Sequence, residues 1–292
     1  PLSLMAATSI PTITYRVPKR RHPVTAFVVH QPLGALGLLV IILMCLAAVF
    51  ANVVAPYDPL AVDFGQLLVP PSWSHLLGTD SFGRDVFSRV IYGARTALAV
   101  GFLSSILGST LGAIIGVASA YFGGRTDLII QRVMDVLLSF PIIILALTVV
   151  SVLGKNIILG IDANLIIAIG VPMVPTVARV VRSSALAIRE LPYIDAARAA
   201  GFSHTRIIFR HIVPNVVAPY LIMLTAFVAQ AILLEASLSF LGLGVTEPTP
   251  AWGLMLSGAA IDFYQQAPWM IISPGVAISL AVFAFNLFGD SL

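Results

Sequence analysis

Charged residues are scarce in this chain, so the few that recur at close spacing mark where polar chemistry could be done. Asp80, Arg84, Asp85 and Arg89 fall within ten positions. At helical spacing such residues pair across one face of an amphipathic helix lying at a membrane surface, where they would act as a solvated cap. Direct contact with a solute is the alternative role. Glu235 stands in a long apolar run with Gln230 one turn and a half before it. An acid in hydrocarbon is costly, so it must face protein, water or a pathway, and gate and packing readings of this pair both stay open. A third group runs through Tyr193, Ile194, Asp195, Ala196, Ala197, Arg198, Ala200 and Gly201 to Arg206, His211 and Pro214.

No set of these residues makes a reaction centre. There is no G-x-x-x-x-G-K-[ST] loop to cradle a nucleotide phosphate, no H-E-x-x-H, no cysteine pair and no G-x-S-x-G. Cys45, the single cysteine, lies in an apolar run and allows no internal disulfide. The expectation is a chain that binds no cofactor or metal and catalyses nothing itself. No block of like charge is dense enough for nucleic acid.

The elements that must position these groups are membrane helices. Of 292 residues, 59% are hydrophobic and 10% charged, against about 25% charged in soluble domains. Several runs reach the ~20 residues that a helix needs to span a bilayer. The expected fold is therefore all-α and polytopic, with about six spans. Residues 1–32 form an N-terminal arm carrying Arg16, Lys19, Arg20 and Arg21, followed by a first span at 33–55. A polar loop occupies 56–95, and five further spans lie in 96–292. Between those spans are a charged loop at 182–214 and a Gly/Pro/Trp-rich loop at 242–268 that holds Trp252, a residue type suited to the water interface. The chain opens on Pro1, so its native start is expected to be trimmed.

Within the second span, Ser104, Gly108, Gly112, Gly116 and Ala120 recur every fourth residue and predict close helix packing inside the bundle. Arg132 and Asp135, at i and i+3, are expected to satisfy each other, and Pro141 to bend the third span. In the charged loop, Pro192 suits the first turn of a short helix and Gly201 its end, while Ser203 opens a second helix that Pro214 stops. The alanines leave the short helix smooth, as a docking element would be.

Orientation follows from basic residues. With the N-terminus inside, the inner segments hold Arg16, Lys19, Arg20, Arg21, Arg125, Arg132, Arg179, Arg182, Arg189, Arg198, Arg206 and Arg210. The outer ones hold Arg84, Arg89, Arg95 and Lys155. That bias puts the N-terminus and the 182–214 loop in the cytoplasm, and 56–95 and 242–268 outside.

Two strings carry a family resemblance. Asp195-Ala196-Ala197, then Gly201, then Ile212-Val213-Pro214 resembles the EAA loop of ABC importer permeases, with Asp195 for the usual Glu, His211 near an expected Ile and Val213 for Leu. Leu77-Gly78-Thr79-Asp80-Ser81-Phe82-Gly83-Arg84-Asp85-Val86-Phe87-Ser88-Arg89, followed by Tyr92-Gly93-Ala94-Arg95-Thr96, is similar to the second permease subunit of dipeptide and oligopeptide importers. The stretches at 235–244 and 242–256 resemble the same family, and together the similarity covers most of 33–292. The resemblance implies a type I importer permease fold in a bacterial inner membrane, with the 191–214 loop as the coupling helix seated on an ATPase. It further implies a homologous second permease as heterodimer partner, two ATPases that hold ATP and Mg, and an extracytoplasmic solute-binding protein. The cargo would be a dipeptide or oligopeptide, with nickel chelate, glutathione or opine as alternatives within the family. An autonomous secondary transporter would instead favour inverted repeats and intramembrane ion sites, and a membrane-embedded enzyme would need paired acids or a nucleophile–base set.

Overall fold

A computed structural model describes residues 23–158 and 161–291. Arg16, Lys19, Arg20 and Arg21 lie outside the described residues. Part of the arm is helical: α1 (Pro23–His30) leads directly into α2 (Pro32–Val49) and the short α3 (Ala51–Val54). Then come α4 (Val86–Phe122), α5 (Gly124–Leu138), α6 (Ile142–Leu153), a two-residue hairpin at Ile157–Ile158 and Ile161–Asp162, α7 (Ala163–Gly170) and α8 (Val174–Arg189). The chain continues through α9 (Pro192–Ala199), α10 (His204–Ile207), α11 (Val213–Phe240), α12 (Trp252–Met255), α13 (Ala259–Asp262) and α14 (Trp269–Gly289). Among the described residues five helices are long and apolar enough to cross a membrane, or six if the bent pair α5 and α6 counts as one.

The bundle is built around α4. It starts at Val86, inside the 56–95 stretch expected to be a polar loop, because Asp85 caps it: the carboxylate accepts the Ser88 amide at 2.8 Å and the Ser88 hydroxyl at 2.7 Å. No proline interrupts it, so its 37 residues run about 55 Å at 1.5 Å per residue. It packs on α2, α7, α8, α11 and α14. The small-residue stripe faces α7 and α8 as expected. A Cβ added at Gly108 would come within 2.5 Å of the Gly170 carbonyl oxygen, and one at Gly116 within 2.5 Å of that of Ala178.

The third span bends at Pro141 as expected, α5 and α6 meeting at 94°. Two other expectations are corrected by distant partners or local backbone. Asp135 takes its short ion pair from Arg179 on α8, whereas Arg132 stays 3.9 Å away, since the facing helix offers the better-placed guanidinium. Pro214 does not stop the helix that Ser203 caps. The turn at Ile208–Ile212 widens into π geometry, which takes up the amide bond that proline cannot make, and the helix continues as α11 to Phe240. Pro172, by contrast, sits in a single tightened turn at Val171–Met173 that joins α7 to α8 as one 27-residue span.

Candidate functional site

Two polar assemblies lie at opposite ends of α4. At its N-terminal end, Asp80, Arg84, Asp85 and Arg89 are all buried. They neither form an interfacial helix nor a solvated cap, because Asp80 and Arg84 belong to the turn that precedes α4. Asp80 folds this turn, its Oδ1 accepting the amides of Phe82 and Arg84 at 2.9 Å each and its Oδ2 the Arg84 Nε–H at 2.6 Å. Gly83 closes the turn at φ +73°, pressed so closely on the Asp63 carbonyl that a Cβ would lie 1.8 Å from its oxygen.

Glu247, half-exposed, reaches across from the 242–251 loop. It accepts from Arg84 Nη1 at 2.9 Å and stands 3.5 Å from Arg89 Nη2. Arg89 is 1% exposed and also donates to the Pro59 carbonyl at 3.2 Å. Burial works against the charge on Arg84, but the bonds to Glu247 and Asp80 prevail and hold its pKa above the ordinary guanidinium value. Asp85 completes the set by meeting His75 Nδ1 at 2.9 Å, and His75 Nε2 meets Gln66 Oε1 at 2.7 Å. This cluster borders a cavity of about 260 Å³ walled by Met255, Ala260 and Met270. Trp252 is not at a water interface: it is 2% exposed, lies against Gly93 and donates Nε1–H to the Val90 carbonyl at 2.9 Å.

At the other end the chain turns out of the bundle through α9. Ile194 and Ala197 are buried in the main core, whereas Tyr193, Asp195, Ala196, Arg198, Ala199 and Ala200 are exposed. The apolar pair at i, i+3 thus anchors one face and leaves the smooth face free. Asp195 and Arg198 pair along the outer surface at 3.0 Å. Gly201 ends the helix at φ +74°, with its amide bonded to the Arg198 carbonyl at 2.9 Å and that of Phe202 to Ala197 at 3.1 Å. This is the paired-bond helix end that favours glycine. Ser203 then caps α10 through the Arg206 amide at 3.4 Å, and the Arg206 guanidinium lies 3.9 Å from the Phe202 ring centre. His211 is half-buried beside α9, its ring 6.0 Å from that of Tyr193 and 6.2 Å from that of Phe202.

Glu235 belongs to neither end assembly. It is fully buried in α11, where Oε1 accepts the Ser239 hydroxyl at 2.7 Å, and Gln230 is half-buried a turn and a half earlier.

Residues 108–292 match the family model described as the binding-protein-dependent transport system inner membrane component. The chain belongs to that family. Residues 29–71 match a second model, the N-terminal transmembrane domain of oligopeptide transport permease C. A putative peptide transport system permease protein of Brucella suis is 44% identical, over 88% of this chain and 84% of its own length. The dipeptide transport system permease protein of Alkalihalophilus pseudofirmus is 41% identical over 89% and 84%, and the glutathione transport system permease protein of an Escherichia coli strain is 41% identical over 90% and 85%. The inward-facing MetNI methionine ABC transporter shares the fold, with a TM-score of 0.54 over 70% of this chain and 94% of that one, at 19% identity. The protein is thus a multi-pass inner-membrane permease subunit of an ABC importer, a class that works with ATPase and binding-protein partners.

In this permease the sequence located both assemblies but not all of their members. Glu247 was missed because it sits more than 150 residues from Arg84 and nothing local sets it apart from loop residues. His75 lies only ten residues from Asp85, but the two are joined through a loop and not by any helical spacing. At the α9 end, Asp127 and Arg182 form a two-pronged pair at 2.6 and 2.5 Å that spacing alone could not join.

Proposed function

We propose that the permease couples to its ATPases through the exposed face of α9, and that its own chain catalyses nothing. On this reading the α9 end is cytoplasmic, as the distribution of basic residues favours, and ATP and Mg belong to two ATPase subunits. The observation that carries the reading is the division of α9 into two faces. Ile194 and Ala197 fix the helix to the core, so a push on Tyr193, Ala196 or Ala200 moves the bundle rather than a loose loop. Ala196, Ala199 and Ala200 let a partner's groove approach the backbone closely.

The opposite end faces the solute-binding protein, and a homologous permease supplies the other half of the pathway. The similarity to peptide and dipeptide permeases favours short peptides as cargo. Glutathione, itself a peptide, fits the same class.

Ala196→Arg in the assembled transporter tests the coupling surface, because this exposed side chain can change without disturbing the core. The expected result is a folded permease that no longer co-purifies its ATPases in mild detergent. Retention of the ATPases with normal ATP-driven uptake would remove α9 as the docking element. A purified chain that moved solute down an ion gradient in liposomes would replace the whole reading with a secondary transporter.

A further inference from the structure

Both ends of the α9 loop are tied to consecutive residues of α4. Before α9, Arg189 in the last turn of α8 donates Nη1–H to the Ala120 carbonyl at 2.7 Å. After α9, His204 at the start of α10 meets the Tyr121 hydroxyl through Nδ1 at 2.7 Å, with the two rings edge-on at 5.6 Å. Tyr121 is 7% exposed. The Ala120 carbonyl is one of the last four in α4 and has no partner within the helix, so a cationic donor there is doubly favourable. Gly123 follows at φ +62°, and a Cβ on it would lie 2.9 Å from Arg189 Nη1. The α4–α5 corner is thus shaped around the Arg189 side chain.

Resting on the coupling role assigned to α9, we propose that Tyr121 and Arg189 are positioning residues that pass its displacement to α4. The geometry makes α9 a sling hung from one point of one helix. Displacing it pulls on the last turn of α4, and α4 carries the pull without a proline break to Asp85 and Arg89 at the far end. There Arg89 faces Glu247 of the 242–251 loop. One continuous helix therefore joins the ATPase-side loop to the opposite mouth of the bundle. The other spans that adjoin the α9 loop carry prolines and irregular turns: α11 contains Pro219 and follows the widened turn, and the span of α7 and α8 holds Pro172 in its tightened turn.

Tyr121→Phe tests the tie in the full complex of both permeases, ATPases and binding protein in liposomes, using a radiolabelled dipeptide as probe. It removes one oxygen and keeps the ring. The quantity read is solute imported per ATP hydrolysed, which a change in protein yield does not move. The expected result is a fall of roughly five- to tenfold, the factor that one hydrogen bond sets, with ATP hydrolysis retained. His204→Asn, whose amide stands where Nδ1 stood, is expected to keep the ratio, and His204→Leu to lose it. A Tyr121→Phe ratio equal to wild type, or His204→Asn and His204→Leu behaving alike, overturns the proposal. If Gly201→Val still uncouples in those preparations, only the tie has failed; if it too leaves the ratio unchanged, the coupling role of α9 has failed with it.

Discussion

The two ends of α4 solve the same problem, holding a loop against a helix end, in opposite ways. At the N-terminal end four charged side chains are withdrawn from water and satisfied by one another, by Glu247 and by backbone groups. At the C-terminal end the loop is exposed, its charges pair on the surface, and it is held by Ile194 and Ala197 plus two ties to Ala120 and Tyr121. Buried ion networks of the first kind resist partial change, because removing one member strands the others in a poorly solvated site. Few anchors of the second kind let an element shift as a body while its own helix stays intact. The first end is thus suited to staying fixed and the second to being moved.

The sharpest way to break this contrast is at Asp80. Asp80→Ala removes the acceptor of two backbone amides and of Arg84 Nε, leaving Glu247 as the one carboxylate beside Arg84 and Arg89. The expected loss is about 3–5 kcal/mol, the range for breaking a buried pair from one side. It should appear as a large drop in the thermal unfolding midpoint in detergent. A near-normal midpoint would mean that the cluster is solvated and that the two ends do not differ as described. By comparison, Asp195→Ala, which breaks only the exposed pair with Arg198, should leave the midpoint unchanged, as surface pairs contribute about 0–1 kcal/mol.

A smaller effect is expected midway along α4. Gly116→Leu forces a side chain against the Ala178 carbonyl and the Arg182 amide. Overpacking of this kind costs about 1–3 kcal/mol and should lower the midpoint less than Asp80→Ala does. It should also loosen the Asp127–Arg182 pair, because a wider α4–α8 spacing shifts α8 away from α5. Gly275→Ala, where a Cβ meets nothing within 4 Å among the described residues, is the control within a helix and should show no such loss.

These contrasts also explain what could be read from the chain. The stripe at 104–120 and the helix ended by Gly201 were legible because helix periodicity and positive φ act within a few residues. The two proline sites were not alike: Pro192 starts α9 as expected, yet Pro214 is absorbed by a widened turn whose accommodation depends on tertiary packing. Asp80 and Arg84 were identified as partners, but not as buried, since burial depends on Glu247 and on Pro59 arriving from other parts of the chain. Arg132 next to Asp135 looked sufficient until Arg179 on α8 came closer. Local rules fixed the ends of elements, and long-range pairing decided which charges meet.

At the movable end, Gly201→Val is expected to act on coupling more than on folding. Among the described residues no atom lies within 4 Å of an added Cβ, so the cost comes from holding a β-branched residue at φ +74°. Such strain is of order 1–3 kcal/mol and would be relieved by unwinding the last turn of α9, beside the ATPase contact. Import per ATP should fall while the midpoint changes little. Gly201→Asn, which tolerates the left-handed region better, should be milder. Equal ratios in wild type and Gly201→Val would show that the end of α9 does not matter to coupling.

The smallest effect is expected at Glu235, which lies between the two ends and belongs to neither. Its side chain is wholly enclosed, with Oε1 accepting the Ser239 hydroxyl while the Ser239 oxygen accepts the Val245 amide at 3.0 Å. This chain of bonds pins the start of the loop that later presents Glu247. Among the described residues the other carboxylate oxygen has no partner, and an ionised group there would be poorly compensated. Glu235→Gln keeps the acceptor for Ser239 and the shape of the side chain, so assembly, midpoint and uptake should all remain at wild-type levels. Glu235→Ala removes the acceptor and should lower the midpoint by the equivalent of about 1 kcal/mol, again without changing import per ATP. If Glu235→Gln instead abolishes uptake in a fully assembled complex, the carboxyl group acts in the pathway. The fixed end of the permease would then extend into the membrane as part of its gate.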